Sequence, residues 1–140
     1  MTQQQAEQIA QLLNTRNQLA IAYAGKKVSQ YANNYLFEVD EGRVVACAKL
    51  KKVQWYQWEV CHLSVSATHE GKGLGARLIR RAEEKAEAGN ARIIQCTIRA
   101  GNVRSERVFR RNGYHETCCF YNPRTANYVA VWQKVLSHRI

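Results

Sequence analysis

Apolar residues recur along this chain with two different periods. Ala6, Ile9, Ala10 and Leu13 fall on one face of a 3.6-residue helix, and Thr2 followed by Gln5 has capping-box spacing, so a first helix is expected from Thr2 to about Asn14. A second helical stretch, rich in small residues and interrupted by Gly25, spans Leu19 to Ala32. From Tyr35 the period shortens to that of strands: Tyr35 to Val39, a turn at Asp40-Glu41-Gly42, then Arg43 to Val53. A turn around Gln54 to Gln57 leads to a third strand, Glu59 to Val65, which completes an antiparallel meander.

The helical period then returns. Leu74, Leu78, Ala82 and Ala86 share a face up to about Ala88, and Gly89-Asn90 reads as a helix stop. Ala91 to Arg99 follows as a strand that must run parallel to the strand before the helix and beside it. Asn102 can cap a short helix carrying Val108 and Phe109, which Gly113 ends. Tyr114 to Tyr121 and Tyr128 to Leu136 make a last strand pair around the turn signal Asn122-Pro123-Arg124. The pattern predicts one α/β (mixed α+β) domain over residues 1–140, with a mostly antiparallel sheet, flanking helices and a central β-α-β unit.

Charge changes this picture. The chain has 140 residues and a formal net charge of +10, which points to an anionic partner, a nucleic acid or an acidic protein among them, and argues against polycationic substrates. The segment from Lys49 to Trp58 interleaves bases with Trp55, Tyr56 and Trp58, a pattern that could follow a nucleic-acid backbone while stacking bases, or simply anchor a hairpin tip on the sheet. A non-enzymatic basic module for nucleic acid or acyl-coenzyme A is the competing class.

Cys47, Cys61, Cys96, Cys118 and Cys119 fit no Cys-x-x-Cys pattern and mostly sit in strand-like runs as small apolar groups. His62, His69, His115 and His138 have no metal-ligand spacing, so no metal is expected. The N-terminus lacks the regions of a signal peptide, and no apolar run approaches membrane length, so a cytoplasmic protein without a membrane partner is expected. A homodimer is compatible with these features.

The candidate chemistry lies at Glu70-Gly71-Lys72-Gly73-Leu74-Gly75-Ala76. Glycines at 71, 73 and 75 allow a tight turn and close ligand approach just where a helix begins, and helix-start amides attract phosphate. Lys72 adds a full charge. A nucleotide P-loop is absent. Gly71, Gly73 and Ala76 satisfy the dinucleotide spacing, but Ile94, Gln95, Cys96 and Thr97 stand where the ribose carboxylate belongs.

Val65, then Gly73 and Gly75 opening a helix, closely resembles motif A of the GNAT N-acetyltransferase superfamily, with Glu70 in place of the usual Gln or Arg. Asn102, Ser105, Phe109, Gly113 and Tyr114 match its motif B in order and spacing. The resemblance implies the GNAT fold, acetyl-coenzyme A as cosubstrate and direct acetyl transfer to a primary amine whose identity is not legible. It implies that Leu63, Ser64 and Val65 pair with the pantetheine arm, that the turn from Glu70 through Gly71, Lys72, Gly73, Leu74 and Gly75 to Ala76 holds the pyrophosphate, and that Asn102, Ser105 and Phe109 border the cofactor. A carboxylate at Glu70 is unfavourable there unless it points away. Tyr23, Tyr31 and Tyr35 fall where the family admits its acceptor, or else are core-edge residues.

Transfer to an amine needs a base, and Glu59 is the only carboxylate in its strand. Burial brings a carboxylate toward the range a base needs. The spacing from Glu59 to Val65 also matches the glutamate base of histone-acetylating relatives, while pairing with Lys49 or Lys51 is the structural alternative. His62 is a second candidate that alternation puts on the face opposite Glu59 and Cys61, and Cys61 as an acyl-accepting nucleophile is a third. Many relatives protonate the departing thiolate with a tyrosine at the position of Phe109, so that role falls to Ser105, Tyr114, Tyr121 or water, or the thiolate leaves unassisted.

Overall fold

The structure, a computed structural model, describes residues 1–17 and 22–136. Helix α1 spans Gln3–Arg16, and Thr2 and Gln5 cap it reciprocally, as their spacing predicts. Ala6, Ile9, Ala10 and Leu13 are its buried face. Helix α2 covers Gly25–Gln30. Gly25 therefore opens this helix instead of interrupting it, and the expected beginning at Leu19 lies outside the described residues.

Strands β1 (Tyr35–Asp40), β2 (Arg43–Gln54) and β3 (Gln57–Val65) form the expected antiparallel meander. Helix α3 (Leu74–Ala88) crosses to β4 (Ile93–Arg99), which pairs parallel with β3. Helix α4 (Val103–Arg111) and the hairpin of β5 (His115–Asn122) and β6 (Asn127–Val135) follow. The sheet order is β1-β2-β3-β4-β6-β5, with β3 and β4 the parallel pair, so the mixed and mostly antiparallel sheet is present.

Two apolar cores lie on opposite faces of the sheet. Strand alternation puts Leu50, Val60, Ile94 and Trp132 against the α3 face, with Leu78, Ile79 and Ala82. Tyr35, Val44 and Cys47 turn the other way and pack under α1 and Val28 of α2. Tyr114, fully buried, donates from its hydroxyl to Glu83 Oε2 at 2.8 Å, and Lys134 Nζ approaches the same carboxylate at 3.1 Å. This group ties α3 to β6. Burial, then the Glu83 charge, raises the Tyr114 pKa, and its partners commit it to the core, away from the role of thiolate donor.

The stop after α3 works differently from its sequence appearance. Asn90, with φ 68°, takes the left-handed turn, while Gly89 has an ordinary φ of −88°. Glycine is required at 89 for space: a Cβ there would lie 2.5 Å from the Trp58 indole. Trp58 is thus wedged against the end of α3 while Trp55, 61 % exposed, stays outside under Arg92 at 5.2 Å. The Trp55-Tyr56-Trp58 cluster is divided between packing and surface. Replacing Gly89 with Ala is expected to destabilise the fold by about 1–3 kcal/mol through forced displacement of Trp58, seen as a lower denaturant midpoint with unchanged slope; an unaltered midpoint would refute the wedge.

Candidate active site

The site begins where two strands part. β3 and β4 pair from Gln57↔Ile93 to Val60↔Cys96 and no further. Beyond that point β3 stays with β2, through Cys47↔Ser64 and Ala46↔Val65, whereas β4 stays with β6, through Ile98↔Ala130 and Arg99↔Val129. A wedge opens between them. Along one side of it, the backbone of Cys61 to Val65 has lost its parallel neighbour, which leaves amide and carbonyl groups for an extended ligand to pair with.

His62 marks the vertex. Its φ of 54° lies in the left-handed region, uncommon for a non-glycine residue, and β3 and β2 slip register there between Cys47 and Lys49. The bulge breaks strand alternation. His62 is therefore not on the face opposite Glu59: its ring meets Tyr23 edge-on at 5.7 Å, on the α1 and α2 side, and it lines the same cavity as Glu59 and Cys61. Burial, then the Lys49 charge, lowers the His62 pKa from 6.5 and favours the neutral ring.

The cavity of about 340 Å³ fills the wedge. Glu59 and His62 lie on the β3 wall, Thr97 and Arg99 on the β4 wall, and Ser105 and Phe109 of α4 close one side. Asn122, Thr125 and Asn127 of the β5–β6 turn border it, with Asn17 after α1. Of the expected site residues, Glu59, Leu63, Asn102, Ser105 and Phe109 share this cavity. Ser64 is buried at its side, donating to His62 O and accepting from Asn17 Nδ2, both at 2.8 Å. Tyr121 lies outside the cavity wall on β5, 53 % exposed and edge-on to Tyr128 at 5.3 Å. Tyr35, buried, joins the core under α1, and Tyr31 stays exposed beneath Lys49.

Glu59 is held from three directions. Gln95 Nε2 donates to its Oε1 at 2.8 Å, Cys61 Sγ lies 3.2 Å from Oε2, and Lys51 Nζ is 3.7 Å away. Gln95 in turn accepts from Gln57 and Gln133. A polar row thus crosses four strands on the face away from α3, and the carboxylate within it is only 14 % exposed. The alternative pairing with Lys51 is real, and it coexists with a place on the cavity wall. Burial first, then the Glu59 charge, pushes the Cys61 thiol up to about 12. So little thiolate exists near neutral pH that Cys61 is a poor nucleophile.

At the outer end of the wedge, Gly71 and Gly73 both have φ of 79°, and Gly73 precedes α3 as a left-handed cap without a side-chain acceptor. The first amides of α3, at Leu74, Gly75 and Ala76, point outward with the positive end of the helix dipole and no acidic residue in that turn. Gly75 adjoins the cavity wall: a Cβ there would touch Leu63 at 3.7 Å and Val65 at 4.0 Å. Glu70, just before the turn, is bound by Arg16 at the end of α1 and by Arg104 in the first turn of α4. Neither arginine has a sequence signature, since each reaches Glu70 from a distant part of the chain.

The profile of the acetyltransferase (GNAT) family matches residues 5–114, which include both the glycine turn and α4. The chain belongs to the GNAT acetyltransferase family. This N-acetyltransferase has no match among curated proteins by sequence. In fold it is similar to yncA from Salmonella typhimurium, a structure solved with its cofactor acetyl-CoA (18% identity, 99% of this chain and 92% of that one, TM-score 0.84). It is also similar to the ribosomal-protein-alanine N-acetyltransferase from Brucella melitensis (20% identity, 96% of each chain, TM-score 0.82) and to a chain of the NatC complex bound to Gag peptide and CoA (15%, 97% and 93%, 0.82). The expected family, fold and acetyl-coenzyme A cosubstrate agree with these findings. Among the described residues no helix is long and apolar enough to cross a membrane and no group of side chains could hold a metal ion.

The lowered pKa of His62 gives a test with a definite sign. As pH falls below 6.5 the unfolded chain takes up this proton before the folded one, so stability present above 6.5 is lost on acidification. The native protein is expected to lose more unfolding free energy between pH 7.5 and pH 5 than His62→Gln; parallel losses in denaturant titrations would contradict a buried neutral ring.

Proposed function

We propose that the enzyme transfers the acetyl group of acetyl-coenzyme A directly to the amine of a peptide or protein N-terminus. The observation that carries this reading is the parted β3–β4 wedge, with one open strand edge leading from an uncapped helix start to a buried carboxylate. The pantetheine arm lies along Cys61 to Val65 as an added strand, and the pyrophosphate rests on the amides from Gly73 to Ala76. Leu63, Ser64, Val65, Gly71, Lys72, Gly73, Leu74, Gly75, Ala76, Asn102, Ser105 and Phe109 make up this cofactor track.

The acceptor class follows from the polar lining of the cavity. Asn17, Asn122, Thr125 and Asn127 offer neutral hydrogen-bonding groups of the kind that fit a peptide backbone, while Lys51 and Arg99 outweigh the lone carboxylate Glu59 and disfavour a polycation. The acceptors named for the Brucella enzyme and for the NatC complex, a ribosomal protein and a peptide, support the same class. Five free thiols, two of them exposed on β5, agree with a reducing, cytoplasmic setting.

In the reaction Glu59 takes the proton of the ammonium or of the attacking amine, Lys51 and Gln95 keeping the carboxylate in place. The amine attacks the thioester carbonyl, and the departing thiolate is protonated from the Ser105 side of the cavity, because Phe109 carries no proton to give. A second reading makes His62 the base, favoured by the bulge that turns its neutral ring into the cavity.

A screen of short peptides with varied first residues, read by thiol release, is expected to find turnover; activity on small amines with none on any peptide would defeat the acceptor assignment. With a peptide in hand, Glu59→Gln is expected to lower kcat about 10²–10⁴-fold, the usual worth of a general base, and His62→Gln far less. A reversed order of the two effects, with the acid limb of the pH profile removed by His62→Gln, would transfer the role to His62.

A further inference from the structure

Glu70 stands where a pyrophosphate is to be bound, and a bare carboxylate there would repel it. The carboxylate is not bare. Arg16 Nη2 and Arg104 Nη1 both meet the same oxygen, Oε1, so the three side chains carry a net charge of +1. A guanidinium has five N–H donors in a rigid fork. One nitrogen of each arginine is engaged by Glu70, and the rest of each fork remains to be used. Arg104 is 70 % exposed at its side chain, whereas Glu70 is 29 % exposed beneath it.

The segment bearing Glu70 is well fixed. Ser66 N–H donates to Val45 O at 2.8 Å, and His69 Nε2 lies 2.9 Å from Asp40 Oδ2, so the chain between β3 and α3 is tied to β1 and β2. Arg104 is flanked on α4 by Asn102 and Ser105, both cavity-wall residues, and Arg16 precedes Asn17, which is another. The two guanidinium groups therefore gather on a carboxylate three residues before Gly73, at the uncapped start of α3, each on a residue close in sequence to the cavity wall.

We propose that Glu70 is a positioning residue that holds Arg16 and Arg104 together as a two-arginine clamp for the phosphates of coenzyme A, which rests on the assignment of that cofactor to the wedge. Two free guanidinium groups so close would repel each other and sample many rotamers. The shared carboxylate offsets the repulsion and orients both forks, and charge-assisted bonds from their remaining donors then reach phosphate oxygens at little further ordering cost. The carboxylate works for the anion through the cations that it holds.

The test is calorimetric titration of the full chain with coenzyme A and with pantetheine, which lacks the phosphates. Glu70→Gln is expected to weaken coenzyme A binding about five- to tenfold, the loss of roughly one oriented charge-assisted contact, and to leave pantetheine binding unchanged. In an Arg16→Gln/Arg104→Gln background the same change is expected to reverse sign and tighten coenzyme A, because the carboxylate then only repels. Arg104→Gln alone, at an exposed position, is expected to weaken coenzyme A and to flatten the salt dependence of its affinity. Tighter coenzyme A binding by Glu70→Gln in the otherwise native chain, equal weakening of both ligands, or no effect of Arg104→Gln would each overturn the clamp. A native chain that binds no coenzyme A would overturn the cofactor assignment itself, a result distinct from all of these.

Discussion

Two parallel strands that separate after four paired positions impose the layout of this enzyme. A parallel pair normally continues as far as its strands do, because each unpaired backbone group costs hydrogen bonding that water or a ligand must replace. Here β3 and β4 give up their shared edge after Val60 and Cys96, each keeping its outer neighbour. The bulge at His62 makes the divergence possible by inserting a residue into β3 with a left-handed backbone. What the bulge costs in backbone strain is offset around it, where Ser64 bonds His62 O and Asn17 fixes Ser64 from the end of α1. The cavity, the open strand edge and the approach of α4 all follow from that divergence.

Three carboxylates illustrate how environment divides one chemical group among several tasks. Glu83 is enclosed by Tyr114 and Lys134 and joins α3 to β6. Glu59 is largely enclosed by Gln95, Cys61 and Lys51 but keeps a place on the cavity wall, where we propose that it serves as base. Glu70 lies near the surface between two arginines at the mouth of the wedge. The surplus positive charge of the chain is spread widely along the sequence and speaks to solubility and association rather than to fold.

Periodicity made most of the architecture legible. Amphipathic repeats such as Ala6-Ile9-Ala10-Leu13, the Gly42 hairpin and the β-α-β crossover depend on local patterns that only one arrangement can bury. The helix starts after the glycine turn and after Asn102 are equally legible because helix starts and caps are also local features. The misreadings have a common cause in long-range geometry. Alternation misplaces His62 because it holds only while a strand is regular, the burial of Tyr114 beside Glu83 and Lys134 is a tertiary fact, and the partners of Glu70 lie far off in sequence at Arg16 and Arg104. At position 89 the Trp58 ring and not the backbone demands glycine.

The central claim is that the wedge between β3 and β4 is a coenzyme A track. Calorimetric titration of the purified chain with acetyl-coenzyme A addresses it without knowledge of the acceptor. The account predicts saturable one-to-one binding at micromolar concentrations, weakened by added salt as phosphate contacts are screened; absence of binding through the millimolar range would contradict it.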